Sequence, residues 1–181
     1  MDASCRRREG VQRENCGRAG NGPRHAPSPT QSGQRITFAA AVVDLEVNKD
    51  NGVIIVKHIY GAMDCGLAVN PGIVGSQIVG MANHGTSLAL KEEVQFNQTH
   101  VTSLDWNSYQ TLRFSEHPAV TPIVVQQLHE QSSGAGEEVL PAVVAAIGNA
   151  FFDATGVRLR QFPMTPRRVL AALKSASSKS A

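Results

Sequence analysis

No stretch of this chain runs for the roughly 18 apolar residues that a membrane-spanning helix needs, so none is expected to cross a bilayer. Cysteine is equally scarce. Cys5, Cys16 and Cys65 make an odd number at no recognised spacing, which argues against a disulfide framework and fits a reducing compartment. Aromatic residues are 5% of the chain, and the basic N-terminal stretch has none between its arginines, so a nucleic-acid partner is not expected. No apolar run follows Arg6-Arg7-Arg8; neither a secretory nor a twin-arginine export signal is complete, and a cytoplasmic location is the expectation. Glycine fingerprints for phosphates or dinucleotides are missing. The six histidines, His25, His58, His84, His100, His117 and His129, never fall at the i, i+4 spacing of a helical metal pair. No zinc or iron site held by side chains is therefore expected, and Cys65, without a basic neighbour in sequence, reads as a small packing residue.

What remains is enough for one core. The chain has 181 residues, 41% hydrophobic and 18% charged, which fits one domain with a tail. Its net charge of +2 hides an asymmetry, since residues 1–35 hold seven arginines against Asp2, Glu9 and Glu14. That segment mixes Arg, Gly, Pro, Ser and Gln without aliphatic periodicity and is expected to be disordered.

At Phe38 the pattern changes to period two. Ala39, Ala41, Val43, Leu45 and Val47 share one face and Asp44 and Glu46 the other, which predicts a half-buried strand. The turn-forming run Asn48-Lys49-Asp50-Asn51-Gly52 leads into β-branched residues 53–60, and together they predict a β-hairpin. After the Asn70-Pro71-Gly72 loop, residues 73–90 read as a helix with Val74, Ile78, Met81 and Leu88 near its buried face and Gln77 at that face's edge. Gly72, Gly75, Gly80 and Gly85 each lower its helicity by up to about 1 kcal/mol relative to alanine, so something is expected to pack very close to it. A short strand is expected at residues 93–96, an irregular connection at 97–118, and a strand over 119–128. Val139, Val143, Ile147, Phe151 and Ala154 predict the clearest helix, with Pro141 in its first turns and Gly156 as its stop, and a short helix over 166–173 follows.

The chemistry centres on Ser132-Ser133-Gly134-Ala135-Gly136, which delivers Glu137 to the first turn of that clearest helix. Two readings stand side by side. Carboxylates favour helix N-termini because of the macrodipole, and glycine loops precede many helices. A glutamate held on a rigid helix start is also what a general base requires, its basicity lowered by the dipole and raised by burial in a dry pocket.

The order of five separated pieces narrows the choice. The hairpin, Asp64-Cys65-Gly66-Leu67-Ala68-Val69-Asn70-Pro71, Gln77 in a glycine-spaced helix, Gly134-Ala135-Gly136-Glu137, and Ala150-Phe151-Phe152-Asp153-Ala154-Thr155-Gly156 follow one another along the chain. Over roughly residues 36–173 this order resembles the C-terminal part of the molybdopterin-binding large subunit of the xanthine dehydrogenase and aldehyde oxidase family, most of all the isoquinoline 1-oxidoreductase beta-subunit type. The resemblance implies that Glu137 is the catalytic base, that Gln77 contacts the pterin and that Gly136 lies against the molybdenum centre. It implies a molybdenum–molybdopterin cofactor in the cytosine dinucleotide form. The implied reaction is hydroxylation of an aldehyde or N-heterocycle with water as oxygen donor, the electrons leaving to an iron–sulfur small subunit.

Large subunits of that family are several times longer than this chain, so the remaining part of the large subunit is an implied partner, and the chain is expected to be inactive alone. The alternative is a truncated noncatalytic remnant or an interaction module. The implied fold is α+β, a small mixed or antiparallel sheet with two main helices over residues 36–174, ending in a flexible tail at 175–181. Residues 1–35 resemble nothing in the family, and Glu138 stands where relatives are expected to have proline or glycine.

Overall fold

The fold, taken from a computed structural model, is described for residues 15–16 and 37–178. Apart from Asn15 and Cys16, the segment 1–35 expected to be disordered lies outside the described residues, as does the tail from residue 179 onward. Four strands form one mixed sheet in the order β1-β2-β3-β4: β1 is Asn15–Cys16, β2 Phe38–Val47, β3 Ile54–Asp64 and β4 Ala119–Val124. The first three pair antiparallel, and β4 runs parallel to β3. A parallel neighbour needs a crossover, which helix α1, Pro71–Leu90, supplies. Helices α2, Leu140–Thr155, and α3, Pro166–Ser177, complete the α+β fold.

Register in the hairpin is set by a bulge. Leu45 pairs with Val56 but Asp44 pairs with His58, so β3 carries one extra residue there. The buried face of β3 switches from Ile54 and Val56 to Ile59, Gly61 and Met63, while β2 keeps Ala41, Val43 and Leu45 buried throughout. Without the bulge His58 would point into the core. Instead it lies on the other face, stacked on Tyr60 with ring centroids 4.3 Å apart and hydrogen-bonded to Thr121 Oγ1 at 2.8 Å.

β3 runs four residues past its expected end, because β4 pairs with Tyr60 to Met63. A Cβ at Gly61 would stand 2.8 Å from Cγ2 of Ile78 and 3.5 Å from Cγ2 of Val139. Only glycine lets the first turns of α1 and the start of α2 settle together onto the sheet at that point. The close packing expected of the glycine-spaced helix appears again at Gly85, where an added Cβ would meet Val143 at 3.2 Å. On α1 the residues facing the core are Val74, Ile78, Ala82, Thr86 and Ala89, with Met81 only half buried.

Three helix boundaries differ from expectation. α1 begins at Pro71, where Asn70 Oδ1 caps the N–H of Ile73 at 3.2 Å. α2 begins at Leu140, which puts Glu137 before the helix rather than in its first turn; Pro141, best tolerated where its missing N–H has no partner to lose, fixes that start. Its end at Gly156, φ +73°, is as expected. α3 continues through Ser177, into the tail expected to be flexible.

The connection is irregular over residues 97–118, as expected, and its whole length from residue 91 is pinned. Lys91 holds Glu116 at 2.5–2.6 Å, Tyr109 donates to Glu92 at 2.8 Å, Leu112 N–H donates to Ser87 Oγ at 2.9 Å, and Arg168 pairs with Glu93. The strand expected at residues 93–96 is reduced to one bridge between Phe96 and Val101. Partial burial pushes the Glu116 carboxyl up, but hydrogen bonds from Lys91 and the Arg113 N–H outweigh it and hold it below the usual range. The hydrogen bond to Glu92 holds the Tyr109 phenol above its ordinary value.

Candidate functional site

The loop before Glu137 is held by another loop. β3 ends at Asp64, whose Oδ1 accepts the N–H of Gly66 at 3.0 Å and whose Oδ2 accepts from Gln127 Nε2 at 3.4 Å. β4 stops at Val124 rather than at residue 128, because the next residues turn to bond this loop instead of a strand. The Gln126 carboxamide accepts from the Ala68 N–H at 3.0 Å and donates to the Ala68 carbonyl at 3.1 Å, as a strand backbone would. Gln127 N–H donates to the Gly66 carbonyl at 3.2 Å, Ser133 N–H to the Cys65 carbonyl at 2.8 Å, and Ser132 Oγ to the Leu67 carbonyl at 2.6 Å. Cys65 is buried here, as its packing role predicts. Thr37, also buried, donates to the Gly134 carbonyl at 2.7 Å and bonds Ser133 Oγ at 2.6 Å.

These ties stop at Gly134. Among the described residues none accepts a hydrogen bond from the main-chain N–H groups of residues 134–138, although the Glu137 carbonyl accepts from Leu140 N–H at 3.0 Å. Space around Gly136 is open: a Cβ there would meet nothing within 4 Å. The Glu138 side chain folds back so that Oε1 fills the position of a Cβ on Gly134, and Oε2 is buried without a partner. Backbone donors free at the head of a helix are suited to anionic or oxo groups. A buried carboxyl oxygen without a partner is costly, and a group completing the site would relieve it.

Glu137, Gly136 and Gln77 are all exposed. Gln77 was expected at the edge of the buried face; it projects outward instead, because small residues let α1 pack along Ile78, Ala82 and Gly85. Its neighbour Ile78 and the Val139 that follows the glycine loop both rest on Gly61, so the two candidate segments converge over one point of the sheet. Beside Gln77 runs a shallow hollow of about 460 Å³ between α1 and β4, lined by Gly72, Gly75, Ser76, Val79 and Pro122. A larger one, about 990 Å³, opens between Lys49, Gly156 and Lys174 and touches none of the candidate residues.

Among the described residues no group of His, Cys, Asp and Glu could hold a metal ion, and no helix is long and apolar enough to cross a membrane. Sequence reasoning missed Thr37, Gln126 and Gln127, the residues that fix the loop. Their only trace in the sequence is small or amide side chains at strand ends, a weak signal.

Comparisons with known proteins bear on this arrangement. Residues 9–118 match the molybdopterin cofactor-binding domain family, so the match begins inside the N-terminal segment and takes in Gln77 but not Glu137. The chain is 41% identical over 136 residues to a subunit of the nicotinate dehydrogenase of Pseudomonas putida, an alignment covering 75% of this chain and 12% of that protein. It is 32% identical over 127 residues to the beta subunit of isoquinoline 1-oxidoreductase of Brevundimonas diminuta, covering 70% and 16%. Its fold is that found in quinoline 2-oxidoreductase of Pseudomonas putida 86, at a TM-score of 0.70 and 22% identity over 76% of this chain and 19% of that one. The chain thus spans less than a fifth of each of these three proteins.

Proposed function

Because the chain belongs to the molybdopterin cofactor-binding domain family, as part of the molybdenum-binding subunit of the xanthine dehydrogenase type, we propose that it supplies the base-bearing loop of a molybdenum hydroxylase. The observation that carries this reading is the loop itself, tied down as far as Gly134 and then free, with N–H groups that none of the described residues accepts, open space at Gly136, and Glu137 exposed beyond it. Residues present fit an oxo- and phosphate-bearing cofactor: the free donors suit its anionic groups, and the bare Gly136 allows close approach.

When bound, the cofactor, which we take to be molybdenum–molybdopterin in its cytosine dinucleotide form, would supply the two-electron oxidising chemistry that turns a C–H of an aldehyde or N-heterocycle into C–OH. Glu137 is the group that takes up the proton from the attacking water-derived oxygen. Gln77 would offer its carboxamide to the pterin, and the N–H groups around Gly136 would serve as donors to the cofactor's anionic groups. Hydrogen bonds from Ser133, Ser132 and Thr37 keep the loop from relaxing when these groups engage. The exposure of Glu137 in this chain means that the remainder of a large subunit must exclude water around it. Electrons pass to an iron–sulfur partner.

The exposure of Glu137, Gly136 and Gln77 favours one second reading, a noncatalytic remnant that folds but holds no cofactor. The two are separated by producing the chain together with the matched Pseudomonas putida nicotinate dehydrogenase subunit, deleted for the segment that aligns with it, in a host that makes the cofactor. Molybdenum and pterin are then measured in the purified complex. The hydroxylase reading predicts both at close to one per complex; an assembled complex containing neither would establish the remnant.

A further inference from the structure

The irregular connection between α1 and β4 sets four large apolar side chains in solvent. Phe96, Leu104, Trp106 and Phe114 are 76, 78, 76 and 92% exposed. Loose segments expose such groups in passing, but this one is held in shape. Asn97 Oδ1 accepts the N–H groups of Thr99 and His100 at 2.9 and 3.0 Å, and Asp105 Oδ1 those of Asn107 and Ser108 at 3.0 and 2.8 Å. With the ties from Lys91, Glu92 and Ser87, these turns present the apolar groups outward without a core of their own.

Composition says what kind of partner fits. From residue 94 to residue 114 the sequence holds two formal charges of opposite sign, Asp105 and Arg113, with aromatic, amide and hydroxyl side chains around them. The Asp105 carboxylate is already engaged by its own turn. Surfaces poor in Lys and Glu and rich in Trp, Tyr and Phe are the centres of protein–protein interfaces, whereas a membrane-surface patch brings Lys and Arg with its apolar groups. The family match, residues 9–118, takes in this connection. The relatives are proteins of which the present chain spans 12 to 16%.

We propose that the connection is the surface through which this chain docks onto the remainder of a large subunit, with Trp106 and Phe114 as its anchors. This rests on the family reading above and names the assembly surface for it. Lys91, where the connection begins, follows Gln77 by 14 residues, about 20 Å along the helix axis, so the proposed anchors extend the contact with that remainder beyond the candidate residues.

The test measures binding of the full chain to the matched Pseudomonas putida nicotinate dehydrogenase subunit, deleted for the aligned segment. Wild type is expected to bind. Changing Leu104→Ser and Trp106→Ser together is expected to weaken binding at least ~30-fold, and Phe114→Ser alone at least ~10-fold, as loss of central anchors does. Circular dichroism on each variant checks that it is folded, and two separate variants guard against one of them misfolding. Absence of wild-type binding, or unchanged binding by both variants, overturns the proposal. So does wild-type dimerisation, or attachment to phosphatidylcholine vesicles, that these same substitutions abolish, because either names a different occupant. A complex that assembles but holds no molybdenum or pterin defeats the cofactor reading while supporting the docking surface.

Discussion

Replacing Gly61 with alanine tests the packing that brings the two candidate segments together. The new methyl would lie 2.8 Å from Ile78 Cγ2, where carbon atoms rest comfortably at about 3.5–4.0 Å, so one of them must retreat by roughly 0.7–1.2 Å. Ile78 has little room for this. It is fully buried, and its Cγ2 hangs directly on Cβ, so it cannot swing aside as a chain end would. Overpacking of this size costs about 1–3 kcal/mol. For a protein this long each kcal/mol moves the melting temperature by about 2–4 °C, so thermal unfolding followed by circular dichroism should fall by roughly 2–12 °C.

Ile78→Ala alone should cost about 2–5 kcal/mol through the cavity it leaves. In the double variant the Gly61 methyl enters that cavity, and the combined loss should be smaller than the sum by about 1 kcal/mol or more. Simple additivity, or an unchanged melting temperature for Gly61→Ala, would refute the close approach on which the site's convergence rests.

Other outcomes follow from single contacts. Thr37→Val strands the Gly134 carbonyl and Ser133 hydroxyl, should cost about 1–3 kcal/mol, and should speed hydrogen exchange at the Ser133 amide ahead of the core strands. Because Glu116 titrates below the ordinary glutamate range, its clasp on Lys91 and the Arg113 N–H is present above that range and lost as pH falls through the lowered value. The pair is largely solvated, so the loss should amount to about 0.2–1 kcal/mol, visible as faster Arg113 amide exchange on acidification and absent in Glu116→Gln at any pH. Gln77→Ala, on an exposed helix face, should leave the melting temperature unchanged and lower the pterin retained by the assembled complex.

The elements with a clean period were legible from the sequence alone. β2 alternates without interruption, and α2 places Val143, Ile147 and Phe151 in the core at the expected spacing. β3 was legible as a strand but not in its phase, because residues 53–56 are β-branched on both faces and the period cannot reveal the bulge beside His58. Its extension to Asp64 depends on pairing with a strand more than 50 residues away, information that no local pattern holds. Gln77 and Gly136 stand on a helix and a loop, as read, but Glu137 lies outside the helix that was expected to hold it, because Pro141 delays the helix start. The outward position of Gln77 was not legible, since α1 packs along Ile78, Ala82 and Gly85 and its many small residues leave the periodicity little with which to mark the edge of that face. The ties from Thr37, Gln126 and Gln127 were invisible for a simpler reason: polar side chains at strand ends usually face water.

The central claim is that Glu137 is the proton acceptor of a site this chain shares with the rest of a large subunit. Its most direct test compares turnover of Glu137→Gln with wild type in the assembled complex, with molybdenum content measured in both. The proposed role predicts equal molybdenum and turnover lower by at least about 100-fold, the usual worth of a positioned base. Near-normal turnover at equal metal content would contradict it.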